Sequence, residues 1–451
     1  MRTIDVNDVI DNAKFNRFHW KVLFWCTLII IFDGYDLVIY GVVLPILMDE
    51  WQLSPYVAGL LGSSALFGMM FGAMGFGMLS DRIGRKKVII GCVVLFSLTT
   101  VINGLATSPW EFGALRFIAG LGIGGVMPNV VSLMSEYSPA RRRSTLVALM
   151  FSGYAVGGMM SAGLGIWIVP NFGWQIMFFL AGVPLLLLPL MLKYLPESVA
   201  FLMAQKRENE ARNVLQQVAP QMDIRTQDAL VVPPVNDSKA PVLELFRDGR
   251  AMSTTMFWIA FFCCLLMVYA LGSWLPKLMS SAGYALSSSL MFLMVLNIGA
   301  IVGAVGGGWL ADRLSLRSVL VAFFVLASVS LVTLGYDNPM WFLYTLVGIA
   351  GATTIGSQIL LYAYVAQYYP TSIRSTGLGW ASGIGRNGAI VGPLVGGALL
   401  AMAMPHHINF LALAVPGVIA TVAIALVGRS GFGVEPKTTS VRGEAMRATG
   451  S

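Results

Sequence analysis

A chain of 451 residues with 57% hydrophobic and only 11% charged side chains lies outside the soluble globular class, in which about a quarter of residues are charged. So few charges could not cover the surfaces of the two or three soluble domains that this length would otherwise hold. The net charge of +7 suits nucleic acid or an anionic membrane surface, and the positions of the basic residues decide between them. In chain order, Met1 to Trp20 contains Asp5, Asp8, Asp11, Lys14 and Arg17, too polar for the apolar core of a signal peptide, so the first apolar run is expected to stay as a membrane span.

A spanning helix needs about 20 largely apolar residues. Twelve such runs are predicted, near 21–45, 57–79, 87–107, 110–134, 144–168, 174–195, 253–275, 287–311, 317–335, 339–365, 375–401 and 406–428. The long polar segment from Pro196 to Arg250 divides them six and six, with a charged helical piece at Gln205 to Gln217 and a Pro-rich linker at Val231 to Pro241. The expected organisation is an all-α integral membrane protein. An N-terminal six-helix bundle (1–196) is followed by a cytoplasmic linker loop (197–250), then by a C-terminal bundle with a cytoplasmic tail (251–451). With both termini inside, every Lys and Arg except Lys277, Arg116 and Arg386 falls on the cytoplasmic side or in its flanks. The basic charge is then explained by the positive-inside bias, with no need for nucleic acid. Cys26, Cys92, Cys263 and Cys264 lie in apolar runs without CxxC spacing and read as small packing residues.

The two halves repeat each other. Gly77, Asp81 and Arg82 recur 231 residues later as Gly308, Asp312 and Arg313, and at the same offset Tyr137, Pro139, Arg143, Ser144, Thr145 and Gly157 recur as Tyr368, Pro370, Arg374, Ser375, Thr376 and Gly388. Parallel six-helix repeats place a substrate site near the bilayer midplane, between the halves.

The stretch Gly77 to Lys87 reads G-x-x-x-D-R-x-G-R-K-K and resembles the loop signature of the major facilitator superfamily. Arg116 to Gly124 resembles its fourth-helix motif, Pro196-Glu197-Ser198 its exit from the sixth helix, and Glu136 with Arg141 to Arg143 the cytoplasmic ends of its fourth and fifth helices. The fifth span, Gly153 to Gly165, lacks the proline of the antiporter motif, while a similar run with Pro393 lies in the eleventh. In the first span, Asp33-Gly34-Tyr35-Asp36 resembles the D-G-x-D signature of the aromatic acid:proton symporter family. From Ile4 to Gly41 the sequence is most similar to bacterial benzoate transporters. The resemblance implies two rocking six-helix bundles, no cofactor, and proton-coupled import of an aromatic carboxylate such as benzoate, 4-hydroxybenzoate, protocatechuate, vanillate or muconate across the bacterial inner membrane. It also implies a gating set: Gly77 for close helix approach, Gly84 for a tight turn, Asp81 as a carboxylate facing cationic groups, and Arg82, Arg85, Glu136, Arg143, Asp312, Arg313 and Arg374 around it.

Four ionisable residues lie inside spans, Asp33, Asp36, Arg116 and Arg386, each costing about 2.5–3.5 kcal/mol at the centre of a span and so needing a reason. Asp33 and Asp36, spaced i,i+3, share a helix face with Tyr40. On a cavity wall their mutual repulsion and desolvation would oppose the charged form, as a proton carrier requires. Either can carry the proton, and Asp36 can instead neutralise Arg116. Counting about 1.5 Å per residue puts Asp36 roughly 13 Å and Arg116 roughly 10 Å from the outer ends of their runs, near enough to meet. Arg386 is the first candidate for the substrate carboxylate and Arg116 the second, because a guanidinium keeps its charge and binds bidentately. Tyr35, Tyr40, Tyr269, Trp274, Tyr362 and Trp380 are candidate ring walls, and Asn297, Gln358 and Asn387 candidate hydrogen-bonding groups. His19, His406 and His407 fall at interfaces, which argues against an imidazole relay. No nucleotide loop, metal-ligand cluster or catalytic triad is visible, leaving an ion gradient as the energy source for a transporter rather than an enzyme. A proton/drug antiporter of the same fold, or a membrane sensor, would share these features. The expected working unit is a monomer in lipid.

Overall fold

The computed structural model describes residues 3–222, 228–231, 242–370 and 373–428, without the side chains of Thr3, Asp81, Ser144, Asp312 and Ser375. Most of the Pro-rich linker and the C-terminal tail thus lie outside the described residues. Among the described residues, twelve helical segments are long and apolar enough to cross a bilayer. In the first half they are α2 (Arg17–Glu50), α3 (Pro55–Ile83), α4 (Arg85–Asn103), α5 (Pro109–Tyr137), α6 (Arg143–Phe172) and the pair α7 (Gln175–Leu180) and α8 (Val183–Tyr194). In the second half they are α11 (Ala251–Ser281), α12 (Leu286–Arg313), α13 (Leu316–Leu334), α14 (Met340–Tyr368), α15 (Arg374–Ala401) and α16 (His406–Leu426). The short helices α1 (Val6–Asp11), α9 (Val199–Ala204) and α10 (Glu208–Val218) lie on one face with a parallel pair of strands, β1 (Thr3–Asp5) and β2 (Ala229–Val231). That face, bearing the segment between the halves, is called the linker face below.

Local chemistry sets many of the ends. Asn16 and His19 form a reciprocal capping box at the start of α2, so His19 is buried in a cap. Ser54 and Ser108 cap α3 and α5, each followed by proline in the first turn. The sixth span differs from the single run expected, being interrupted at Ala181–Gly182 between α7 and α8. The charged piece expected at Gln205 to Gln217 forms α10 at Glu208–Val218. All four cysteines are buried and free.

The internal repeat extends to atomic contacts. A Cβ on Gly68 would lie 2.1 Å from the Phe117 carbonyl oxygen, and one on Gly299 would lie 2.1 Å from that of Gly348. The same 231-residue offset relates Gly72 over Leu121 to Gly303 over Ala352, Gly120 over Ala65 to Gly351 over Leu296, and Gly157 over Ile31 to Gly388 over Phe262. Glycine ridges therefore let α3 touch α5 and α12 touch α14 backbone to backbone, as small residues do inside bilayers.

The two halves meet at the face opposite the linker. There a Cβ on Gly41 of α2 would be 2.0 Å from the Gly272 carbonyl oxygen of α11, and one on Gly397 of α15 would be 2.4 Å from that of Pro55. The Ser63 hydroxyl donates to the Ile390 carbonyl at 2.6 Å, and Lys277 pairs with Asp49 at 3.4 Å. At the linker face the helices diverge: a Cβ on Gly75 or Gly77 of α3, on Gly306 or Gly308 of α12, or on Gly379 or Gly383 of α15 would meet nothing within 4 Å. A cavity of about 1310 Å³ opens there between Thr145 and Ala148 of α6 and Gly308, Tyr364 and Gln367 of the second half. The molecule is closed on one face and open on the linker face.

Candidate functional site

Two buried acidic groups on α2 face different surroundings. Asp36 pairs with Arg116 at 3.1 Å, with side-chain exposures of 0% and 2%. Thr100 of α4 donates to its second oxygen at 2.7 Å, and Arg116 also donates to the Asp36 carbonyl at 3.0 Å. This network ties α2, α4 and α5 together inside the first half. Asp33, also fully buried, has neither carboxylate oxygen hydrogen-bonded. The charges acting on it are Asp36 and, from the other half, Arg386.

The packing of Gly34 fixes which helix of the first half lies beside Asp33. A Cβ at Gly34 would be 2.1 Å from the Tyr154 carbonyl oxygen, so α2 runs directly against α6 one residue from Asp33. Tyr154 and Tyr269 of α11 act on each other, and both hydroxyls lie in the field of Asp33. The charge of Arg386 of α15 also acts on Tyr269 and on Tyr362 of α14. Asp33, Tyr154, Tyr269, Tyr362 and Arg386 thus form one electrostatic neighbourhood drawn from both halves. It combines a carboxyl group, a guanidinium and three phenol rings, the elements needed to hold a flat carboxylic acid: a cation for its charge and apolar walls for its ring.

Other predicted residues lie elsewhere. The Tyr35 hydroxyl donates to the Met177 carbonyl at 2.9 Å, and Tyr40 donates to the Ala58 carbonyl. The indole of buried Trp274 donates to the Pro393 carbonyl at 2.8 Å. These three rings brace the first half and the closed face rather than joining the Asp33 group. Gln358 is half-buried. Asn387 is exposed, with its amide turned back to Gly383 and Ile384. Asn297 bonds to Leu293 within α12 at 2.9 Å, and Trp380 stacks on Trp258. Sequence reasoning passed over Tyr154 and Thr100. A polar-tipped aromatic in the middle of the fifth span was the available signal for the first, and a hydroxyl near the end of the third span gave no comparable signal for the second.

At the linker face, Gly84 adopts φ +99° between α3 and α4, where a side chain would also strike Glu197. Arg85 pairs with Glu136, whose other oxygen accepts from the Ser198 hydroxyl at 2.9 Å. Arg143 donates to the Ser135 carbonyl at 2.9 Å and pairs with Asp11. Arg313 stacks over the Trp309 ring at 4.0 Å. Arg82 and Arg374 are exposed. Gly77, expected at a close helix approach, faces open space because the linker-face ends have separated; Gly68 and Gly72 make the approach instead. The carboxylates of Asp81 and Asp312 lie outside the described residues.

The sequence profile described as Major Facilitator Superfamily matches residues 26–314 and 293–447. The chain belongs to the major facilitator superfamily. Its relatives in this superfamily include the benzoate transport protein of Acinetobacter baylyi, 49% identical over 94% of this chain and 93% of the relative. The gentisate transporter of Corynebacterium glutamicum is 38% identical over 89% of this chain and 85% of its own length. A 4-hydroxybenzoate transporter of Pseudomonas putida is 36% identical over 95% and 96%. Among solved structures, a partially occluded inward-open form of the Escherichia coli xylose transporter superposes with a TM-score of 0.71 at 18% identity, over 90% of this chain and 97% of that one. As a superfamily member with twelve apolar spans, the chain is a multi-pass membrane transporter and not an enzyme.

Proposed function

We propose that this transporter imports benzoate together with protons across the bacterial inner membrane, with the linker face and both termini in the cytoplasm and a monomer as the working unit. The reading is supported by a buried, unbonded Asp33 that feels the charge of Arg386 from the other half, with 49% identity to a benzoate transport protein supporting the choice of acid. Arg386 binds the substrate carboxylate, and Tyr154, Tyr269 and Tyr362 flank the ring. Substrate and Asp33 compete for the same guanidinium, so a proton on Asp33 frees Arg386 for the incoming anion. Proton and substrate together leave the site without excess charge, and the halves can then rock past each other. Asp36, held by Arg116 and Thr100, is a second proton-binding group in the same half. The gentisate and 4-hydroxybenzoate transporters among the relatives make ring-hydroxylated acids the second substrate reading.

The experiment is uptake of radiolabelled benzoate by the purified protein in liposomes under an imposed inward proton gradient, beside protein-free liposomes and a protonophore. Protein-dependent accumulation that collapses with protonophore is expected. Uptake no greater than in protein-free vesicles rejects benzoate symport, and competition by unlabelled gentisate or 4-hydroxybenzoate reports ring selectivity.

Alternation itself depends on the closed face. Gly41→Val puts a side chain where only 2.0 Å separates a Cβ from the Gly272 oxygen. Overpacking of this kind costs about 1–3 kcal/mol, and the face-closed conformation bears it. Transport is expected to fall roughly tenfold or more, at a tenfold change per 1.36 kcal/mol, with the protein still inserted. Wild-type rates in Gly41→Val would remove the Gly41–Gly272 contact from the cycle.

A further inference from the structure

A pocket of about 670 Å³ lies at the linker-face edge of the first half, between the ends of α2, α4 and α8 and beneath α10. Five basic side chains line it: Lys21, Lys86, Lys87, Lys193 and Arg207. Two carboxylates, Glu197 and Glu210, also line it and act on Lys86 from a distance, which leaves three of the five positive charges unbalanced. Glu210 holds Arg207 in a two-pronged pair at 2.6 and 2.8 Å, and Glu197 accepts the backbone amides of Lys86 and Ser198 at 3.1 and 3.0 Å. Among the described residues, none of the four lysines has a carboxylate within 4.0 Å.

The positive-inside bias puts lysines on this face, but it does not require them to converge on a concavity. Two carboxylates do not balance five cations, and the excess like charges repel unless a further anion sits among them. Beside the charged groups the lining includes Phe18, Ile90, Leu192, Leu195 and Val214. Leu192 is 55% exposed on its outer side and Phe24 and Trp20 are each 58% exposed nearby. A Cβ on Gly91 would meet nothing within 4 Å, so the surface of α4 is open next to the lysines. Charge at the top and an apolar track running down toward the bilayer centre match a molecule with an anionic head and a hydrocarbon tail.

We propose that this pocket binds an anionic phospholipid of the linker-face leaflet. Its phosphate is held by Lys86, Lys87 and Lys193, its acyl chain runs along α4 beside Gly91, and α10 covers the headgroup. Basic pockets between spans are a recognised means of holding such headgroups. The site is separate from the Asp33 group, and its occupancy does not depend on which acid is carried. Bound lipid would pin α10, and with it the segment joining the halves, to the first bundle.

The test is native mass spectrometry of the purified full-length protein after incubation with phosphatidylglycerol or phosphatidylcholine, with inorganic phosphate as competitor. The wild type is expected to retain phosphatidylglycerol over phosphatidylcholine. Lys86→Gln/Lys87→Gln/Lys193→Gln is expected to bind it roughly 100-fold more weakly, since each basic residue near a membrane surface contributes about a factor of five. Arg141→Gln/Arg142→Gln, which removes exposed charges outside the pocket, is expected to keep the lipid. If the triple variant is unstable, Lys21→Gln/Lys193→Gln, away from the Gly84 turn, should weaken retention in the same direction. Equal retention by the lysine variants, equal loss in the arginine variant, or displacement by phosphate as effectively as by phosphatidylglycerol would each overturn the proposal. The last outcome would make it a free-anion site.

Discussion

Asp33→Asn is expected to abolish proton-driven accumulation of benzoate while leaving exchange of labelled for unlabelled substrate largely intact. The reason is the contrast between the two acidic groups of α2. Asp36 has Arg116 at 3.1 Å and Thr100 at 2.7 Å, whereas Asp33 is fully buried with both oxygens unbonded. A charge in such a place carries a desolvation cost that no local hydrogen bond offsets, and taking up a proton removes that charge. Asparagine keeps nearly the same shape and is permanently neutral, so Arg386 is left free for the substrate while position 33 can no longer bind or release the proton that drives accumulation. Exchange, which needs only substrate to cross in both directions, should persist. Full accumulation by Asp33→Asn would exclude Asp33 as the coupling group and move attention to Asp36. Loss of exchange together with accumulation would indicate that Asp33 shapes the site instead.

The fold was legible because spans announce themselves by length and hydropathy alone, and the sequence repeat at an offset of 231 foretold two similar halves. The interruption of the sixth span at Ala181–Gly182 was hidden, since a break in the middle of a run barely changes its hydropathy. The paired glycine contacts were present in the letters: Gly68 and Gly299, Gly72 and Gly303, and Gly120 and Gly351 stand at the repeat offset, and a search for glycines alone would have found them. For the site, depth counting brought Asp36 and Arg116 within reach because two charges in hydrocarbon have few alternatives to each other. Aromatic residues gave no such constraint. In a membrane helix both the lipid and the protein side are apolar, so periodicity does not say which way a tyrosine points. Tyr35 and Tyr40 therefore looked equivalent to Tyr269 while Tyr154 was passed over, yet the Tyr35 and Tyr40 hydroxyls are bonded to Met177 and Ala58. The conformation was not legible at all: Gly77 belongs to a motif that implies close packing, and its emptiness reflects which face is open.

Arg116→Gln is expected to cost far more stability than removing both partners of its ion pair. Deleting one member of a buried pair leaves the other charge uncompensated, at about 3–5 kcal/mol, and here the loss would be compounded because the same guanidinium also donates to the Asp36 carbonyl. In detergent the variant should unfold at markedly lower temperature than the wild type, or fail to accumulate in the membrane. Asp36→Asn/Arg116→Gln removes both charges together, and an amide pair can still bridge α2 and α5, so its thermal stability should return most of the way to wild type. Transport separates the remaining possibilities. If the pair only holds the first half together, the stable double variant will accumulate benzoate normally. If protonation of Asp36 releases Arg116 during the cycle, the double variant will be folded and unable to use the proton gradient, and that is the expected result, because Thr100 and Arg116 hold Asp36 in a network that a proton on the carboxylate would weaken. A double variant as unstable as Arg116→Gln alone would show instead that the guanidinium's shape and its carbonyl bond, rather than charge balance, keep the first half folded.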